Sequence, residues 1–122
     1  MTYQEFCGRI SASLEVGMEF CNPGGGTSVV VRIDADRIVY QRRNTRIAIS
    51  FGVMFKAYEH FSGSFVLTRD LKRFDNSFDS SARDPAGHNC NCIFMFLVFK
   101  QAGLGGDIVP GKCFGQGFLK VD

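Results

Sequence analysis

The chain has 122 residues, with 14 Lys or Arg against 12 Asp or Glu and a net charge of +2. Its 45% hydrophobic and 21% charged residues are ordinary globular proportions, without an internal repeat or low-complexity tract. No apolar run reaches the roughly 20 residues of a membrane helix, and MTYQEFCGRISASLEVG lacks the basic and apolar regions of a signal peptide.

A cytoplasmic, single-domain protein without membrane contact is therefore expected, spanning residues 1–122. The five Cys are an odd number in a chain with no secretion signal, so reduced thiols are expected. The 13 Phe and absent Trp predict a Phe-heavy core.

In chain order, Phe6, Ile10 and Leu14 recur every four residues and predict a short amphipathic helix from Tyr3 to about Ser13. Leu14, Val16, Met18 and Phe20 then alternate with Glu15, Gly17 and Glu19, which predicts a half-buried strand. NPGGG is a loop; SVVVRI, RIVYQ and TRIAIS read as strands separated by DAD and RRN turns. These strands form a four-stranded antiparallel meander.

Ser50 is a suitable N-cap for a helix whose apolar stripe is Phe51, Met54, Phe55, Tyr58 and Phe61, closed by Gly63. SFVL is a very short strand, and Thr68 is expected to cap a helix through RDLKRF. After a loop-like stretch, Cys90 to Ala102 predicts a helix capped by Asn89. Apolar on all sides, it is either enclosed or lies in a subunit interface, which leaves a homodimer open. GDIV and GFLKV form a closing hairpin around PGKCFGQ. The fold class expected is α+β: residues 1–49 a helix plus meander, residues 50–122 a three-helix half ending in a β-hairpin.

The order from residue 50 resembles that of winged-helix DNA-binding domains. SFGVMFKAYEHF stands as first helix, TRDLKRF as second, HNCNCIFMFLVFKQAGL as the recognition-helix equivalent and DIVPGKCFGQGFLKV as the wing. The resemblance implies contacts from the polar N-terminal tip of that third helix, since the rest of it is apolar. His88, Asn89 and Asn91 are the tip candidates, because Asn can pair with adenine and recognition helices read bases with their first residues. Arg83 and the wing residue Lys112 would add phosphate contacts. FDSSARDPAGHNCNC also resembles segments of small uncharacterised bacterial proteins carried on mobile gene cassettes.

Five Arg stand against two Asp between Arg32 and Arg46. Arg42, Arg43 and Arg46 join the candidate nucleic-acid contacts, against the plainer role of keeping a sheet edge soluble. No cofactor is expected. The two thiols of Cys90 and Cys92 would point about 200° apart on a helix, so they suit no shared metal. The expected function is thus non-enzymatic binding of DNA or another nucleic acid, or a regulatory role. Two alternatives remain: a small-ligand or protein-interaction module using a Phe-rich face, and a cysteine-dependent enzyme with Cys90 as nucleophile beside His88.

Overall fold

The structure, a computed structural model, describes residues 1–80, 87–106, 108–109 and 116–118, with Val109 and Gln116–Phe118 described through their backbone. Arg83, Lys112 and Cys113 lie outside these residues.

Helix α1 spans Tyr3–Ser13, and the Thr2 hydroxyl accepts the Glu5 N–H at 3.1 Å to cap it. Phe6 and Ile10 are buried, as their spacing predicts. The strand expected from Leu14 is realised only as β1, Glu19–Cys21. The alternation fails because Gly17 adopts φ +93° and the chain turns at residues 15–18, with the Met18 N–H on the Glu15 carbonyl. Leu14 and Phe20 still face the core, but Val16 is 65% exposed.

β2 (Thr27–Ile33), β3 (Arg37–Arg42) and β4 (Thr45–Ser50) complete an antiparallel meander in the order β1-β2-β3-β4. Ser28, Val30, Ile38, Tyr40, Ile47 and Ile49 are its buried inner face. Period two alone would also send Arg32 inward after Ser28 and Val30. A bulge between Val30 and Arg32 shifts the register, so Arg32 lies opposite Val39 on the outer face and meets Asp34 at 3.0 Å.

Helix α2 spans Phe51–His60, and the Ser50 hydroxyl accepts the Val53 N–H at 3.0 Å, the expected cap. β5 is Phe65–Leu67 and α3 is Thr68–Phe74. Thr68 is not the cap of α3. It is the first helical residue and buried, and the Asp70 carboxylate instead accepts the Leu67 N–H at 2.9 Å. A single 3-10 turn follows at Asn76–Phe78.

Helix α4, Cys90–Gln101, is buried over most of its circumference: Asn91, Cys92, Phe94, Met95, Phe96, Val98 and Phe99 are shielded from solvent, while Cys90, Ile93 and Leu97 form a partly buried stripe that runs to the exposed Lys100 and Gln101. Asn89 precedes it but makes no side-chain cap. Its side chain accepts the Ser80 N–H at 3.2 Å, and its own N–H donates to the Ser80 hydroxyl at 2.7 Å. That reciprocal pair ties residue 80 to the start of α4.

The other end of α4 is closed from a distant element. Gly103 takes φ +72°, and Arg9 of α1 donates to the carbonyls of Ala102 at 3.0 Å and Gly103 at 3.3 Å. A guanidinium is well placed at the negative end of a helix. Arg9→Ala should lower unfolding free energy by about 1 kcal/mol, and Arg9→Lys by less, in urea denaturation.

The second sheet contains β5, β6 (Ile108–Val109) and β7 (Gln116–Phe118), antiparallel in the order β5-β7-β6. The closing hairpin is thus anchored to the helical half through β5. One hydrophobic cluster runs from Phe6 to Leu104 and draws on both halves of the chain. Its rings pack on each other: Phe6 lies 5.2 Å from Phe55, 5.4 Å from Tyr58 and 5.8 Å from Phe99, while Tyr40 stacks on Phe94 at 3.7 Å. Among the described residues no helix is long and apolar enough to cross a membrane.

Candidate anion cleft at the β3–β4 hairpin

Strand period two puts Arg42 on the same face as Ile38 and Tyr40, one step beyond the core. Its partner across the hairpin is Thr45, which shares the inner face with Ile47. The start of α4 packs beside them. Together Arg42, Arg43, Thr45, Ile47, His88 and Cys90 line an open cleft of about 450 Å³. Three of the expected contact residues, Arg42, Arg43 and His88, converge there. Thr45 and Cys90 complete the wall; the hairpin register of Arg42 was the one sequence signal for Thr45.

Within the cleft the Arg42 guanidinium donates to the Cys90 sulfur at 3.2 Å. The backbone of His88 is fixed by its N–H on the Ser77 carbonyl at 3.2 Å, and the residue lies at the cleft wall. Arg43 opens the two-residue turn with φ +55°, and its carbonyl accepts the Gln41 amide at 3.0 Å. Gly is the usual occupant of a left-handed first position in such a turn, so an Arg there carries strain of about 1 kcal/mol.

Arg46 faces the other way. Its guanidinium meets the Gln41 side chain at 3.4 Å and borders a second cleft of about 320 Å³ on the outer face, with Arg32, Arg37, Val39 and Ala48. Arg32 and Arg37 share Asp34, at 3.0 and 3.5 Å, so part of the positive charge on this face is already compensated.

No family model, curated protein or solved structure matches this chain. The chemistry of the cleft therefore rests on its own geometry.

The remaining tip candidates behave differently. Asn91 is fully buried and cannot meet a base: its carbonyl accepts the Tyr40 hydroxyl at 2.8 Å, and its amide donates to Ser77 at 2.9 Å and Ala48 at 3.4 Å. Two residues past Asn89 are enough to turn a polar tip into a core residue, because β4 and the 3-10 turn close over it. Asn89 is exposed, but its carbonyl is engaged by Ser80. Tyr40, placed among Arg residues in the sequence, is likewise spent in the core.

Cys90 and Cys92 part as helical geometry requires. Cys90 is half-buried at the cleft wall, whereas Cys92 is enclosed and donates weakly to the Phe78 carbonyl at 3.7 Å. Among the described residues, no three His, Cys, Asp or Glu side chains gather to hold a metal ion.

Burial pushes the Cys92 thiol up from about 9 to about 12 and raises the Tyr40 hydroxyl far above its usual range. The linked effect on stability has a definite sign. Above pH about 9 an unfolded chain loses the thiol proton while the fold retains it to about 12. The folded state then binds more protons, so stability falls as pH rises. The slope is about 1.4 kcal/mol per pH unit for one such group. Tyr40 adds to it above pH about 10. Urea midpoints measured against pH should begin to fall near pH 9 in the parent and near pH 10 in Cys92→Ala.

Proposed function

We propose that this protein binds nucleic acid through the sugar-phosphate backbone, with the tip of the β3–β4 hairpin as the contact. The carrying observation is the convergence of Arg42, Arg43 and His88 on one open cleft. A guanidinium offers a planar fork of donors matched to phosphate oxygens, and two of them flank the same opening. The His88 ring adds a further donor, and Arg46 extends the basic surface around the strand edge.

Burial of Asn91 supports binding without base reading. Phosphate contacts fix position on a nucleic acid but carry no direct sequence information. A regulatory role would then rest on occupancy of the strand. The order of the second half, and the anchoring of its hairpin through β5, support a winged-helix scaffold. On this reading the scaffold holds α4 in the core and leaves contact to the meander hairpin.

The test is fluorescence anisotropy with a labelled random duplex and a single strand at two salt concentrations. Three phosphate contacts predict a log–log salt slope of about −2.7, or roughly a 40-fold loss of affinity between 50 and 200 mM salt. Absence of binding to either probe at about 50 mM salt overturns the proposal.

A further inference from the structure

We propose that Cys90 is a modification site for anionic low-molecular-weight disulfides, and that its mixed disulfide closes the cleft to phosphate. The regulatory part of this inference rests on the nucleic-acid reading above. The cleft combines a half-buried cysteine with two cations: Cys90 lies at its wall, Arg42 donates to the sulfur at 3.2 Å, and Arg43 also lines the opening. A disulfide carrying carboxylates is drawn to such a cleft, and a cationic one is repelled. The volume of about 450 Å³ accommodates a small peptide-like thiol.

Glutathione disulfide is a suitable probe because it is anionic and the unit it leaves on the sulfur is a small peptide-like thiol. The Cys90 sulfur attacks one sulfur of the probe; a new S–S bond forms as the old one breaks. Glutathione leaves as a thiol, carrying the proton that Cys90 gives up. Cys90 and one glutathione unit end as a mixed disulfide, so one thiol sulfur is oxidised as one probe sulfur is reduced to a thiol, and no other reagent is needed. The carboxylates of the attached unit then face Arg42 and Arg43 and take the place of a phosphate. A reducing thiol reverses the step.

The same helix supplies the contrast. Cys92, two residues on, is enclosed by Thr68, Phe78 and the core, so the probe has no approach to it. Cys21 is exposed on β1 and serves as a reference thiol in the same sample.

The experiment is a time course with glutathione disulfide and, in parallel, the cationic disulfide cystamine, mapped by peptide mass spectrometry. Cys90 should prefer the anionic probe by about tenfold relative to the preference at Cys21. That preference should shrink in Arg42→Leu, in the exposed-turn variant Arg43→Gln, and in the parent protein at high salt. The two separately prepared adducts are then titrated with the labelled nucleic acid. The glutathione adduct should lose two phosphate contacts, flattening the salt slope by about 1.8, while the cystamine adduct should bind no less tightly than the unmodified chain.

Labelling of Cys92 as fast as Cys90, or equal preference for the two probes at Cys90, overturns the modification site. Equal weakening by both adducts overturns the charge mechanism. Failure of the unmodified protein to bind nucleic acid overturns the nucleic-acid reading and the switch together, while the labelling preference decides the modification site by itself.

Discussion

Asn91→Ala should lower unfolding free energy by about 3 kcal/mol, a large effect for an atom-for-atom small truncation. Asn91 has no exposed surface and uses both ends of its amide, accepting from Tyr40 and donating to Ser77 and Ala48. Truncation leaves the Tyr40 hydroxyl without its acceptor in the core and strips a donor from two carbonyls. Each buried group left unpaired costs about 1–3 kcal/mol, and a cavity adds to the loss.

Two further variants apportion the effect. Tyr40→Phe removes one donor and should cost about 1–2 kcal/mol, because the Asn91 carbonyl loses its hydroxyl. Asn91→Asp keeps that acceptor but has no amide to offer Ser77 and Ala48, and places a charge in the core; it should cost at least as much as Asn91→Ala. The double change Tyr40→Phe with Asn91→Ala should cost less than the sum of the singles, because the two residues share one hydrogen bond. Urea unfolding followed by circular dichroism measures all four. A cost below about 1 kcal/mol for Asn91→Ala would falsify the buried network.

Arg42→Glu combined with Arg43→Glu should weaken nucleic-acid binding by at least 100-fold near 0.1 M salt, if the proposed function holds. Removing one phosphate contact costs roughly tenfold at that salt concentration, and reversal adds repulsion to each loss. Anisotropy titrations should show the salt slope falling by about 1.8 in the neutral pair Arg42→Gln with Arg43→Gln. An unchanged slope there removes the hairpin tip from the interface.

Arg43→Gly separates function from fold. Gly adopts the left-handed φ of +55° without a Cβ penalty, so the hairpin loses its strain. The variant should gain up to about 1 kcal/mol of stability, while nucleic-acid affinity falls roughly tenfold. A non-glycine residue kept in a strained turn at the mouth of a cleft is the pattern expected when the side chain serves binding at the expense of the backbone. Equal affinity with higher stability would leave the strain of Arg43 without this explanation.

The local rules in the chain were sufficient for most elements. Period-two alternation and short polar turns define β2, β3 and β4, and the 3.6-residue stripe with Ser50 as cap defines α2. These signals are legible because each depends on neighbours within a few residues. The alternation after Leu14 misled for the same reason: its pattern is strand-like, but Gly17 turns the chain before a strand can form.

The site was legible only in part. The basic content of the β3–β4 hairpin and the polar start of α4 stand in the sequence, but their meeting does not. Arg42 and Cys90 are 48 positions apart, and Tyr40 and Asn91 are 51 apart. Beside an apolar run, His88, Asn89 and Asn91 look alike as a polar tip. Tertiary packing sends His88 to a cleft, ties Asn89 to Ser80 and encloses Asn91. Sequence determined most of the elements, the cap of α2 at Ser50 and the charge of the hairpin, because those follow from local geometry and composition. Only the tertiary structure decided which polar groups face solvent, because a buried amide is tolerated where distant Tyr40, Ala48 and Ser77 satisfy both of its ends.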